Sequence, residues 1–250
     1  MLQSLRGLGR ALGEALNGVS ARLLGRDQGF RYGVAGLTRL PALSRDELRL
    51  SAGAARRLAS SRVFLLHGTP WPGVGSKGGS WLAPWAARLE ELGVGRAVPI
   101  EYSGRSTLWA HVKLLLEPLF HFDEKRVLKQ ISADLAARPL AKGEHIALIG
   151  HSYGTRLSVP VADKLRARGL PVSTVVMIEN RVPAPIGQFV KQAPAVPRVL
   201  EIENNPGKPL RTAAGTAYKR IVAPDLTHMD FVLSPPARIL EGIVKELAAR

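Results

Sequence analysis

The sequence predicts an α/β fold, with a mostly parallel central sheet, helices on both faces and a helical N-terminal arm in front of it. Short apolar runs bounded by glycine, proline and polar residues recur from Arg62 onward, which is typical of buried parallel strands. Segments with helical periodicity lie between most of these runs. Because a helix that joins two parallel strands packs back onto their sheet, this alternation predicts helices on both faces.

Composition limits the classes of protein. The chain has 250 residues, which suits one domain with or without an arm. With 46% hydrophobic and 22% charged residues it is too apolar for general disorder. It has no cysteine, which excludes a disulfide scaffold, a cysteine nucleophile and a thiolate metal site.

The net charge of +15 would attract anionic surfaces such as lipid or nucleic acid. No run of five basic residues occurs and aromatic residues make up only 6% of the chain, so we do not expect a nucleic-acid partner. We favour a diffusely solvated basic surface as the explanation of this charge.

Residues 1–60 are predicted to form the arm and residues 61–250 the domain. Leucines recur in residues 1–28 at helical steps, with arginines off that stripe. A membrane-surface helix, an arm packed on the domain and an arginine-rich transit segment all remain open. No stretch of 18 apolar residues and no secretory signal core occurs, so we expect a cytoplasmic protein, with peripheral attachment to an anionic membrane through the arm as the alternative.

Six strands are predicted in the domain. The first covers 62–66 and ends in His-Gly. The others cover 97–102, 145–149, 173–178, 198–202 and 218–222. Each is a short apolar run, so the sheet should be buried on both faces.

Helices are predicted between these strands. A loop at 68–84 leads into a helix at 85–92, and a mostly helical segment at 107–139 is broken near Pro118 and again at 121–123. The next helix covers 155–168 and should bend at Pro160. The final helix, 237–247, places five apolar residues on one face: Ile239, Leu240, Ile243, Val244 and Leu247.

The motif Gly150-His151-Ser152-Tyr153-Gly154 lies between a predicted strand and a predicted helix. A nucleophilic serine has to be raised on a sharp turn, and flanking glycines let the backbone segments approach each other. The helix amino end also points N–H groups toward developing negative charge. Ser152 is therefore the candidate nucleophile. A plain glycine turn is the alternative, because G-x-S-x-G by itself is a weak signal.

The first strand ends in His67-Gly68-Thr69-Pro70. Acyl transfer needs fixed donors for the oxyanion. We expect one from the backbone of Tyr153 and one from Thr69. Gly68 and His151 are expected to lie against the substrate, although the segment at 67–70 could equally be an ordinary glycine-proline turn.

Residues 60–250 resemble the α/β-hydrolase family. The resemblance lies in VFLLHGTP, in IALIGHSYGTRLS and in the late histidine of LTHMDFVLSPP. It implies a serine esterase, lipase or thioesterase with the chain order serine, acid, histidine, and without a cofactor. His228 follows the last strand and is the candidate general base. No histidine pair has the H-E-x-x-H spacing, so we expect no metal site.

The acid has two candidates. Glu179 follows the fourth strand, which is where acyl-carrier thioesterases of this family carry their acid, usually aspartate. Glu203 lies in the next strand, where most other members place theirs, but Asn204 and Asn205 follow it. We favour Glu179 and keep Glu203 open. A surface ion pair is the ordinary alternative for each glutamate.

The predicted function is cleavage of a carboxylic ester or thioester through an acyl-enzyme intermediate. The aromatic residues of 104–139, with Trp71, Trp81 and Trp85, either wall an apolar pocket or belong to the core. The alternatives are a non-catalytic binding protein on the same fold, and a basic protein that attaches to anionic membrane or nucleic acid.

Overall fold

The computed structural model describes residues 38–67, 82–101, 122–182, 187–188, 191–205, 208–227 and 230–249. It confirms the predicted fold class. Six parallel strands form one sheet, in the order 96–100, 61–66, 145–151, 172–178, 198–203 and 217–222. The part of the predicted arm before residue 38 lies outside the described residues.

The six strands of the sheet lie close to the predicted positions. They are β1 (Ser61–Leu66), β2 (Arg96–Ile100), β3 (His145–His151), β4 (Val172–Ile178), β7 (Arg198–Glu203) and β8 (Ala217–Val222). The four central strands are almost entirely buried, while β8 at one edge is half-exposed. This burial explains their near-continuous apolar sequences. A two-residue antiparallel pair, β5 (Arg181–Val182) and β6 (Gly187–Gln188), was not predicted.

Helices cover both faces of the sheet. The described helices are α1 (Arg45–Leu48), α2 (Ala52–Ala59), α3 (Leu82–Glu91), α4 (Phe122–Ala137), α5 (Tyr153–Ala167), α6 (Asp230–Leu233) and α7 (Ala237–Ala248). On one face, α3 and α7 enclose a core that includes the buried stripe of α7. On the other, α4 and α5 enclose the second core. Alternate residues of each strand enter the two cores, as the period of two requires.

Residues 38–60 pack on the domain. Leu48 and Leu58 are fully buried in the same core as α3 and α7, and α2 lies against α7. Two hydrogen bonds join this segment to the C-terminal part of the chain. The Arg57 Nε donates to the carbonyl of Ala248 (2.8 Å), and the backbone N–H of Arg39 donates to Leu233 (2.6 Å).

Helix α3 extends into the loop predicted at 68–84, and the short helix α6 was not predicted. Helix α3 begins at Leu82 rather than 85, and it tolerates Pro84 because the first turn of a helix needs no i−4 donor. Helix α6 follows a reciprocal pair in which the Thr227 N–H donates to Asp230 Oδ2 (2.7 Å) and the Asp230 N–H donates to Thr227 Oγ1 (3.4 Å). This T-x-x-D pair is a helix-start signal of the capping-box kind. The helix that follows it has only four residues, too few to show helical periodicity in the sequence.

Trp85 belongs to the core and does not line a pocket. Its side chain is fully buried, and its indole N–H donates to the carbonyl of Val232 (2.8 Å). Helix α5 runs unbroken through Pro160, near its middle. Among the described residues, no helix is both long and apolar enough to cross a membrane, and no cluster of three potential metal-ligating side chains occurs.

Candidate active site

The carboxyl ends of β1, β3, β4 and β7 meet at one edge of the sheet. The ladder continues one residue past β3 and β4, because the Ser152 N–H donates to the carbonyl of Ile178 (2.8 Å) and the Glu179 N–H donates to that of Ile202 (2.7 Å). Ser152 and Glu179 therefore leave neighbouring strands at the same level. In open parallel sheets this edge is where ligands bind.

Ser152 has a backbone conformation that L-residues rarely adopt, with φ 53° and ψ −119°. Such a conformation costs about 1–3 kcal/mol, and it persists only where the surroundings enforce it. The residue is half-buried, and its side chain makes no capping hydrogen bond to the described start of α5. The strained turn thus places the Ser152 side chain between the strand and the helix, and this side chain is not used to cap the helix.

The surroundings that enforce this turn are backbone atoms. A Cβ on Gly150 would lie 2.5 Å from the carbonyl oxygen of Gly154. A Cβ on Gly154 would overlap the carbonyl of Leu66 and lie 2.7 Å from that of His67. Both glycines of the motif are therefore required by close approach, and the second one seats α5 directly on the end of β1.

A sharp strand–serine–helix turn over the carboxyl edge of an all-parallel sheet characterises one architecture. The chain has an α/β-hydrolase-like fold. Of the two predicted oxyanion donors, Tyr153 lies at this turn and Thr69 follows β1 in the chain. Tyr153 begins α5 and is buried, as is His67 at the end of β1. Gly68 and Thr69 follow His67 in the chain and lie outside the described residues.

On the other side of the turn is Glu179. It also has a left-handed backbone (φ 54°), and its side chain is only 2% exposed. Its Oε1 accepts a hydrogen bond from the backbone N–H of Asn204 (2.6 Å). Asn204 is one of the two residues that stand in the usual acid position after β7. Here the backbone N–H of Asn204 binds the carboxylate of Glu179, which follows β4.

Glu201 and Glu203 are fully buried on β7 and interact with β8. Glu203 forms an ion pair with Arg220. Glu201 accepts hydrogen bonds from the Tyr218 hydroxyl (2.5 Å) and the Asn180 amide (3.3 Å), with the Arg220 Nε at 3.7 Å. Burial, together with the hydrogen bond to Glu201 and its charge, raises the pKa of Tyr218, so its hydroxyl stays protonated and donates.

Three histidines bear on the prediction of the site: His151, His228 and His145. His151 ends β3 and is buried at 3% exposure. His228 lies outside the described residues, between Thr227 and the start of α6. His145 begins β3, at the opposite edge of the sheet, and burial lowers its pKa. The roles of His151 and His228 remain predictions.

Sequence reasoning did not find the polar residues beneath the turn. The Thr155 hydroxyl donates to the carbonyl of Ser152 (2.6 Å) and lies 3.3 Å from the Asn180 Oδ1. Both residues are fully buried. The available signal was a pair of positions: a threonine three residues after the serine, and an asparagine at the end of an apolar strand.

No protein-family model and no curated protein sequence matches the chain. Solved structures resemble it at low identity. One is SrfTE, the thioesterase domain that cyclises the lipopeptide antibiotic surfactin, with 12% identity over 76% of this chain and 92% of that chain and a TM-score of 0.45. Another is the thioesterase RedJ from the prodiginine pathway of Streptomyces coelicolor, with 16% identity over 75% and 86% and a TM-score of 0.44.

A third structure is a cutinase-like protein from Cryptococcus sp., with 16% identity over 75% of this chain and 90% of that chain and a TM-score of 0.37. At identities of 12% and 16%, these likenesses concern the fold alone.

Proposed function

We propose that this chain is a serine hydrolase that cleaves a carboxylic ester or thioester through an acyl-enzyme intermediate. The strained backbone of Ser152, enforced by two glycines that cannot carry a side chain, is the observation that supports this proposal most strongly. Backbone strain concentrates at functional sites, and a plain connecting turn has no need of it.

In the proposed reaction the Ser152 Oγ attacks the substrate carbonyl while His228 accepts the serine proton. The negative charge on the carbonyl oxygen is held by the backbone N–H groups of Tyr153 and Thr69. His228 then gives the proton to the leaving alcohol or thiol. Water, activated by the same histidine, releases the acid and restores Ser152.

Glu179 is the proposed partner of His228. A carboxylate in that role holds the imidazole in one tautomer and stabilises its positive form. Two observations support Glu179: it leaves the strand next to Ser152, and the Asn204 N–H orients its carboxylate. Gly68 and His151 are proposed to line the acyl site beside the turn.

Covalent labelling tests the nucleophile. A fluorophosphonate probe is expected to modify the wild-type protein at Ser152, because only a serine activated by a base reacts quickly with it. Ser152→Ala should lose the label. The matched control is Ser132→Ala, which removes an exposed serine of α4 and should leave labelling unchanged. Intact-protein and peptide mass spectrometry measure both the extent and the position.

Equal labelling of wild type and Ser152→Ala would refute Ser152 as nucleophile. A folded wild-type protein that takes no label, and that does not hydrolyse p-nitrophenyl butyrate, would favour the non-catalytic binding protein on the same fold.

A further inference from the structure

We propose that Asn180 is a positioning residue for this reaction, because its buried amide links Glu201 of β7 to the hydroxyl of Thr155 and thereby holds Ser152 and Glu179 in register. The inference rests on the proposed function, since it assigns the groups that maintain the geometry of the proposed nucleophile and acid. The three side chains that form this link, those of Thr155, Asn180 and Glu201, are fully buried.

The link begins at the nucleophile. Two donors of Thr155 converge on the Ser152 carbonyl: the backbone N–H at 2.9 Å and the hydroxyl at 2.6 Å. The hydroxyl also lies within hydrogen-bonding distance of Asn180 Oδ1, at 3.3 Å. Its single hydrogen is therefore shared between the two acceptors, as in a three-centre hydrogen bond. This double clamp holds the peptide that carries the strained conformation of Ser152.

The link ends on a charged anchor. The Asn180 Nδ2 donates to Glu201 Oε1 at 3.3 Å, while the Tyr218 hydroxyl donates to Oε2. An ionised carboxylate only accepts and Nδ2 only donates, so this contact fixes the orientation of the amide and points Oδ1 at Thr155. Glu201 is fully buried, so its hydrogen bonds form in a medium of low dielectric, where they are stronger than the same bonds in water.

Asn180 is also bonded covalently to Glu179. Anchoring its side chain fixes the peptide that follows the proposed acid, whose own backbone is left-handed. The Asn180 side chain thus restrains the backbone at Ser152, through Thr155, and the backbone at Glu179, to which Asn180 is bonded. These two residues follow different strands. Misplacing reacting groups by about 1 Å can lower a rate about 100-fold, so this restraint bears directly on turnover.

A buried polar network could instead serve only stability, so the test has to separate the two roles. The variants are Asn180→Ala, Thr155→Val and Thr155→Ser. Thr155→Val replaces one hydroxyl with a methyl group, whereas Thr155→Ser keeps the hydroxyl. The matched control is Ser158→Ala, which also removes a buried hydroxyl from α5; that hydroxyl donates to the Thr155 carbonyl (2.7 Å).

The measurements are kcat and KM for p-nitrophenyl butyrate, the rate of fluorophosphonate labelling of Ser152, and Tm. For Asn180→Ala and Thr155→Val we expect kcat and the labelling rate to fall by about 10- to 100-fold while KM stays within about threefold. Thr155→Ser should recover kcat to within about threefold. Ser158→Ala should lower Tm but leave kcat within about twofold.

Unchanged kcat in Asn180→Ala and Thr155→Val, with Ser152 labelled normally in all variants, would overturn this inference and leave the proposed function intact. Failure of the wild-type protein to label at Ser152 would overturn both. If Asn180→Ala does not fold, the comparison of Thr155→Val with Thr155→Ser decides, because a role limited to packing would show no rescue by serine.

Discussion

Three buried glutamates lie near one edge of the sheet, and their partners distinguish them. Glu203 forms an ion pair with Arg220, and Glu201 is bound by Tyr218 and Asn180. Glu179 lies next to Ser152 and is oriented by a backbone N–H. Arg220 and Tyr218 join Glu203 and Glu201 to β8, whereas Glu179 follows the strand beside Ser152, where we propose that it acts on His228.

Replacing Glu179 and Glu203 in turn tests this distinction. Glu179→Gln should lower kcat about tenfold or more, since a neutral amide no longer stabilises an imidazolium. Glu203→Gln should leave kcat within about threefold and lower the free energy of unfolding by about 2 kcal/mol, because Arg220 loses a charged partner. Ester hydrolysis and urea unfolding measure the two effects. If neither variant slows hydrolysis about tenfold, neither glutamate is the acid.

At this scale the sequence was informative where a residue type is demanded by local backbone geometry. Gly150, Ser152 and Gly154 were recognisable because a sharp strand–helix turn requires them. Thr155, Asn180 and Glu201 were not recognisable as a unit. Their contacts join three separate elements, which the pairing of β3 with β4 and of β4 with β7 brings together.

At the scale of elements, a partly buried ion cluster joins β1 to α4 and to the turn before β3. The Arg62 Nε donates to Glu144 (2.7 Å), and its Nη1 donates to Asp134 on α4 (3.3 Å). Burial raises the pKa of Glu144, but the hydrogen bonds from Arg62 and the Ala141 N–H, with the guanidinium charge, outweigh it and hold this pKa below its usual value.

This pKa gives stability a pH dependence. A carboxyl with a lower pKa in the folded state stabilises the protein above its unfolded pKa, and the effect is lost as pH falls through the folded pKa. Glu144→Gln should therefore lower the free energy of unfolding by about 1–2 kcal/mol at pH 7, and by progressively less below pH 4.5. Urea titrations at pH 7 and at about pH 3 measure the difference.

The control for this experiment is Glu91→Gln, which removes an exposed partner of Arg88 and should change stability by less than about 0.5 kcal/mol at either pH. A loss in Glu144→Gln that is the same at both pH values would show that packing, not charge, accounts for it.

The positions of the elements were predictable because burial on both faces demands continuous apolar runs, which stand out in a sequence. The start of α3, the short helix α6 and the β5–β6 pair were not. Each is decided within two to four residues, where local signals such as Pro84 or the Thr227–Asp230 pair also suit a loop.

At the scale of the whole molecule, residues 38–60 share the core of the domain. A chain that begins at residue 61 loses Leu48 and Leu58 from that core, and removing a buried leucine side chain typically costs about 2–5 kcal/mol. We expect such a chain to be largely unfolded, because two losses of this size approach the whole stability of a domain. A chain that begins at residue 38 keeps both contacts and should fold.

Circular dichroism and thermal unfolding of the two shortened chains measure this. Equal stability would show that residues 38–60 are dispensable and that the predicted boundary at residue 60 separates independent units. From the sequence we predicted that residues 1–60 form one arm, because no strand pattern occurs before Arg62. Only the contacts of Leu48, Leu58 and Arg57 show that its second part belongs to the domain core.

The seat of α5 on β1 bears on how this sequence can change over time. At Gly154 the helix meets the carbonyls of Leu66 and His67, so the crossing is made of main-chain atoms on both sides. No side chain of position 154 takes part in that crossing, so its distance is set by main-chain atoms alone. We expect any residue other than glycine at this position to push α5 away from β1 and to displace Ser152, whatever residues surround it.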